Sequence, residues 1–333
     1  MTETVEPPLA LLRFSALGDV ASSLRIAYEA RRRWPKRRIL FFSHERFRPV
    51  VNCLAKKVEF VGLGNDVKDM RGIAALLRSL GAEVVDLHRS LRTTLLYAQT
   101  PHLRWHRLSK HRRARRALVK GRSEALPQDY RVQREQADLL QLELSDNPWL
   151  VADGKTRADV VLVPGAAWPE KRWPLESFGA VARELSQTMS VVILYSPKDG
   201  LPIEDMDWGK ASLEGELGLK ECIELLSSAG SVLSNDTGFA HIAEGLGIPV
   251  RVFIGPTDQR LGAAPQSSFA AAKPLRLGLD CQPCSQKGDR TCHVGGRPCL
   301  TRWDVHQVAN EVRSLHADVD AEALSEGYAK SHQ

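Results

Sequence analysis

The sequence has no run of 18 apolar residues, so nothing in it reads as a transmembrane helix. Residues 1–8 carry Glu3 and Glu6 but no basic residue, and the apolar stretch behind them, Leu9–Leu12, is too short for a signal-peptide core. A cytosolic protein is expected. The turn after that first apolar run, Ser15-Ala-Leu-Gly-Asp19, lacks the G-x-G-x-x-G fingerprint, which counts against an NAD enzyme. Aromatics make up only 6% of the chain. The longest basic tract, 102–122, has nine Lys and Arg, no Asp or Glu, and only Trp105 interleaved, so a stacking surface for single-stranded nucleic acid is poorly supported.

What is present describes a globular protein, 43% hydrophobic and 26% charged, whose 333 residues suit two domains of about 150 each. The formal charge of +6 is unevenly spread. Residues 1–157 hold 30 Lys and Arg against 17 Asp and Glu, whereas 158–333 hold 16 against 23. A basic first half and an acidic second half point to an anionic partner that meets the first half alone.

Short apolar runs alternate with helical stretches, which predicts parallel sheets covered on both faces. Strands are expected at 9–14, 38–43, 58–61 and 84–87, with helices at 20–33 and 70–80. The pattern then repeats, with strands at 159–163, 191–195, 231–234 and 250–254 and helices at 175–185, 221–229, 240–246 and 305–315. The expected domains are 1–150 and 157–315, joined through the polar stretch 147–157, with a loose tail at 316–333. Such a tandem places its ligand in the cleft beyond the carboxyl ends of the strands.

Gly18 suits a tight strand-to-helix turn. Asp19 follows it at a helix start, where it either caps the helix or serves as a general base facing the cleft. Ser15 and Gly18 are small enough to approach a ligand phosphate. In the loop 164–174, Lys171 and Arg172 suit a diphosphate, the one as a compact charge and the other as a planar fork. In SNDTGFAH, Asp236, Thr237 and Gly238 open a helix whose free N–H groups make an anion site, and His241 follows one turn later. Asp236 as a helix cap and His241 as a packed histidine fit as well. Arg89 and Arg92 follow a strand near the cleft. Cys281, Cys284, Cys292 and Cys299 read either as a structural tetrathiolate zinc site or as plain thiols.

Together RFSALGDVASSLRIAYEARRRWP, VVDLHRSLRTTLL, VPGAAWPEKRWPLESF and SNDTGFAHIAEGLGIPVRVFIGPTD resemble the motifs of glycosyltransferase family 9, the lipopolysaccharide heptosyltransferases. LDCQPC…RTC…RPCL is similar to a tail in the heptosyltransferase II-like branch. The resemblance implies a GT-B fold: two doubly wound, Rossmann-like α/β domains facing across a cleft, the first for the acceptor and the second for the donor. It implies inverting heptosyl transfer from ADP-heptose to a Kdo- or heptose-bearing lipid A core, with no cofactor needed for catalysis. Carried over by position, Asp19 is the base, and Lys171, Arg172, Asp236, Thr237, Gly238 and His241 bind the donor. Ser15, Gly18, Arg89 and Arg92 fall to the acceptor. The sequence departs from the family's usual pattern at Gly238-Phe239-Ala240-His241. The expected location is the cytoplasm, peripheral at the inner face of the inner membrane, where the basic half meets an anionic surface. Other readings are transfer to a protein or a later core sugar, a nonenzymatic nucleic-acid-binding protein, and a nucleotide-sugar epimerase.

Overall fold

The computed structural model describes residues 6–64, 68–154, 158–262, 264–265 and 267–315. The expected tail therefore lies outside the described residues. Two wholly parallel sheets organise the chain. The first comprises β1 (Leu9–Leu12), β2 (Ile39–His44), β3 (Glu59–Leu63), β4 (Glu83–Asp86) and β5 (Trp105–Arg107), in the order β3-β2-β1-β4-β5. The second comprises β6 (Ala158–Val163), β7 (Val191–Leu194), β8 (Ser212–Glu214), β9 (Ala229–Asn235), β10 (Val250–Phe253) and β11 (Lys273–Leu275), in the order β11-β10-β9-β6-β7-β8. Both orders reverse once, at β1/β4 and at β6/β9. In doubly wound folds that reversal opens a crevice at the carboxyl edge.

The helices are α1 (Leu17–Arg33), α2 (Arg48–Asn52), α3 (Lys68–Leu80), α4 (Leu91–Gln99), α5 (Arg112–Leu118), α6 (Val132–Asp138), α7 (Leu175–Leu185), α8 (Leu219–Ser227), α9 (Gly238–Leu246) and α10 (Pro298–Thr301). A last helix occupies 305–315, as expected. The long apolar strands and the periodic helices thus lie where the sequence placed them, within a few residues. The edge strands β5, β8 and β11 were not expected. Each is three residues long, with too little apolar pattern to mark it.

Strand alternation explains how the layers pack. Leu9 and Leu11 of β1 point into an apolar core that continues through α1 and α9 into Val161 and Val163 of β6. Ala10 and Leu12 point the other way, onto Met70, Ile73 and Leu77 of α3. Each fully buried Leu contributes roughly 1.5–3 kcal/mol, so the continuous core ties the two halves together.

The stretch 147–157, expected to be polar, includes two buried apolar side chains among exposed neighbours. Trp149 and Leu150 are 0% and 1% exposed, lodged between α1 and α9. The Trp149 indole N–H donates to Ala21 O at 2.9 Å, and both backbone N–H groups donate to Gly245 O. Arg25 of α1 lies over the indole, 5.3 Å from the ring centre.

Candidate active site

The β1–α1 turn comes first. Asp19 is the third residue of α1, and its carboxylate accepts the N–H of Ala16 at 3.2 Å. Arg13, at the end of β1, makes an ion pair with the same oxygen and anchors itself on Leu87 O at 2.7 Å. Asp19 therefore does cap its helix. Its side chain is nonetheless 53% exposed, and both of these contacts use one oxygen, Oδ2. Desolvation raises its pKa, but Arg13, the Ala16 N–H and His241 together outweigh that and hold it below the usual 3.8. The group is an anion at neutral pH.

Gly18 was expected to serve a tight turn. It lies inside α1 without a positive φ, and its smallness has another cause. A Cβ there would come 2.8 Å from His241 Cδ2 and 3.3 Å from Gly238 Cα. Gly238 faces the same constraint, since its Cβ would lie 2.7 Å from Leu17 Cγ. The N-terminal ends of α1 and α9 therefore meet directly, and the two glycines permit it.

The β4–α4 loop lies beside the β1–α1 turn. Phe14 and His88 make an edge-on ring contact at 5.4 Å. His88 is kept neutral, its pKa lowered to about 3 by burial and by Arg13. Arg89 has φ +53°, and its N–H donates to Asp86 Oδ1 at 2.6 Å. Arg92 lies 3.3 Å from His44 Nε2. Ser15, Arg89 and Arg92 are all half-buried at the same sheet edge.

On the second sheet, the loop after β6 carries Lys171 and the loop after β9 carries Asp236, so both emerge at that sheet's reversal point. Lys171 Nζ donates to Asp236 Oδ2 at 2.5 Å, and Thr257 Oγ1 donates to the same oxygen at 3.4 Å. Asp236 does not cap α9. Thr237 is the cap residue and its side chain makes no capping bond, so the first N–H groups of α9 have no side-chain acceptor from it.

Arg172 departs from expectation. Its Nε and Nη2 both donate to Ala166 O, at 2.9 and 2.8 Å. The fork expected to match phosphate oxygens is spent on its own loop, because a carbonyl six residues back lies within reach. Asn235 escaped sequence reasoning. Its Oδ1 accepts the Trp173 N–H at 2.9 Å and its Nδ2 donates to Pro164 O at 2.7 Å, which stitches the Lys171 loop to β9.

His241 is 8% exposed and sits between the halves, its Nδ1 lying 3.6 Å from Glu244 Oε2. Burial works against its charge, but Glu244, Asp236 and Asp19 prevail and raise its pKa above 6.5. Glu244 is itself fixed by Ser267, whose N–H and Oγ donate to Oε1 at 3.0 and 2.6 Å.

The basic tract joins the halves and also lies open to solvent. Arg115 reaches Leu261 O at 3.4 Å, and Arg260 in turn donates to Ser123 O at 2.7 Å. Arg112, Arg113, Arg116, Lys120 and Arg122 are exposed. On the adjoining α4, Leu91 and Leu95 are also exposed.

The tetrathiolate arrangement is not formed. Among the described residues no three His, Cys, Asp or Glu side chains are gathered to hold a metal ion. Cys299 is buried at α10, and burial with the neighbouring thiols pushes it up to about 11, where thiolate is scarce.

The geometry is thus a carboxylate at the start of α1 and a lysine–carboxylate pair beside the start of α9, with His241 interacting with both carboxylates. The family model of glycosyltransferase family 9 (heptosyltransferase) matches residues 82–294. Lipopolysaccharide heptosyltransferase 2 of Salmonella typhimurium is 28% identical over 162 residues, 42% of this chain and 46% of that protein. The chain thus aligns with less than half the length of that curated relative. A glycosyl transferase family 9 structure from Veillonella parvula superposes with TM-score 0.72 at 17% identity, covering 95% of this chain and 99% of that one. The Escherichia coli ADP-heptose LPS heptosyltransferase II structure gives 0.64 at 19%, covering 94% and 99%. These likenesses share the two-sheet GT-B architecture. With a family model spanning more than half its length, the chain belongs to glycosyltransferase family 9.

Proposed function

We propose that this chain is an inverting heptosyltransferase that moves a heptosyl group from ADP-heptose to the inner core of lipopolysaccharide. One observation carries the reading. The half-exposed Asp19 and the Lys171–Asp236 pair come together where α1 and α9 meet. A reaction with a proton to remove on one side and a diphosphate to release on the other needs that arrangement.

The steps balance as a single displacement. Asp19 takes the proton of an acceptor hydroxyl while that oxygen bonds to the anomeric carbon. The bond from that carbon to the diphosphate oxygen breaks on the opposite face, and ADP leaves with the electron pair. The charge it gains falls to Lys171 and to the N–H groups at the start of α9. Lys171 then exchanges Asp236 for phosphate. Arg172 braces the loop. No metal is assigned to the transfer, and the four cysteines are assigned as thiols.

The acceptor side is the β1–α1 and β4–α4 loops, with Ser15, Gly18, Arg89 and Arg92. The exposed cations of 112–122 and the bare Leu91 and Leu95 suit an anionic membrane surface that presents a Kdo- or heptose-bearing lipid A. Near such a surface each cation contributes about 1 kcal/mol. Among the described residues no helix is long and apolar enough to cross a membrane.

The test is transfer from ADP-heptose to Kdo-lipid A and to heptosyl-Kdo-lipid A, followed by product NMR. Heptosylated product with the anomeric configuration inverted is expected from one acceptor. Conversion of the donor with no acceptor present would instead make the protein an epimerase.

A further inference from the structure

The cysteine-bearing segment does not stand apart from the site; it folds onto the Lys171 loop. Its base is fastened to the end of β10. Gln282 Nε2 donates to Ile254 O and Gly255 O, at 3.1 and 2.7 Å. The N–H groups of Cys284 and Ser285 both donate to Pro256 O at 3.0 Å. A turn follows, built around the fully buried Ser285. Its Oγ accepts the Gly288 N–H at 2.8 Å and donates to Asp289 Oδ1 at 2.9 Å.

That turn presses Gly288 against Lys171. A Cβ at 288 would lie 2.6 Å from Lys171 Cγ, 3.2 Å from Cδ and 3.1 Å from Cε. The bare glycine thus rests along the Cγ, Cδ and Cε methylenes of the stem, and its φ of +78° is one that other residues adopt only under strain. Farther on, Arg297 Nη1 donates to Pro169 O at 2.7 Å and to Arg172 O at 3.0 Å. Those two carbonyls belong to the first residue of the short 3-10 turn Pro169–Lys171 and to the residue after it. One contact grips the stem of the lysine and the other grips the backbone on either side of it.

We infer that the segment 282–297 is a clamp for Lys171, with Gly288 and Arg297 as positioning residues that act through the lysine and touch no substrate. A lysine is a point charge on a flexible stem, and it loses that freedom when it binds. Fixing the stem beforehand means the donor need not order it, so affinity for the diphosphate rises without a new contact. The inference rests on the reading that Lys171 meets the donor diphosphate.

Calorimetry with ADP and adenosine, on Lys171→Ala, Gly288→Ala, Arg297→Lys and the double variant Lys171→Ala/Gly288→Ala, tests it. Melting temperatures serve as the control for folding. Gly288→Ala and Arg297→Lys should each weaken ADP about tenfold, part of a charge-assisted hydrogen bond, and leave adenosine unchanged. In the Lys171→Ala background Gly288→Ala should cost nothing further, the mark of a residue that acts through another. If Lys171→Ala loses ADP selectively while both single clamp variants bind ADP normally, the clamp is overturned and the diphosphate reading stands. If Lys171→Ala binds both ligands normally, the diphosphate reading fails and the clamp with it. Equal losses of ADP and adenosine in the clamp variants would also overturn the inference. Should Gly288→Ala not fold, Arg297→Lys decides alone.

Discussion

Asp19 and Asp236 lie near the start of two helices that meet end to end, Asp19 as the third residue of α1 and Asp236 directly after β9 and two residues before α9. Each is also paired with a cation. Asp19 is nonetheless 53% exposed beside Arg13, whereas Asp236 is 6% exposed and shares one oxygen between Lys171 and Thr257. The comparison teaches that burial, not residue type, divides the labour. A carboxylate open to the cleft can receive a proton from a substrate. One enclosed by a lysine and a threonine holds that lysine in place.

The largest effect expected to separate them is on turnover. Asp19→Asn should lower kcat by about 10²–10⁴-fold and leave ADP affinity and melting temperature nearly unchanged. Steady-state kinetics with either lipid acceptor measures this, and normal turnover would reduce Asp19 to a helix cap.

Asp236→Asn should show the converse emphasis. Leaving the largely buried Lys171 without its carboxylate should cost about 1–3 kcal/mol of stability, seen as a lower melting temperature. Saturating ADP should restore more of that loss than adenosine does, because a phosphate replaces the missing charge. Identical behaviour of Asp19→Asn and Asp236→Asn in both assays would erase the distinction.

The smallest effect concerns pH. His241 lies between the two carboxylates and its folded pKa is raised above 6.5 by Glu244, Asp236 and Asp19. A raised folded pKa contributes stability that is complete below the ordinary value and is lost as pH rises through the folded one. The melting temperature should therefore fall as the pH is raised from 6.5 upward, and His241→Gln should flatten that slope. An unchanged slope would show that the imidazole carries no charge there.

The sequence made much of this legible because strand ends and helix starts are local signals. β1, β4, β6 and β9 are apolar runs that end in turn residues, and they delivered the loops bearing Asp19, Arg89, Lys171 and Asp236 to two adjoining edges. Long-range partners were not legible. Asn235 reaches Trp173 and Pro164, 62 and 71 positions away, and its amide looks like any other in the sequence. Arg172 reads by charge as a phosphate fork, yet Ala166 O, six residues back, accepts from both its Nε and Nη2. Gly18 reads as a turn residue, yet the neighbour that forbids a side chain there is His241, more than two hundred residues later. Trp149 looked like part of a polar connection, because nothing nearby in the chain foretells the two helices that enclose it.

The contact between the ends of α1 and α9 has an electrical consequence. Each helix carries roughly half a positive charge at its N-terminus, so two like poles are held face to face across the contact between Gly18 and Gly238. Asp19 and Asp236 offset part of that mutual repulsion, and an anion bound beside the poles would offset more. Holding that contact is therefore easier with a bound anion than without one. Added salt should weaken that preference, because it screens the poles and the anion alike.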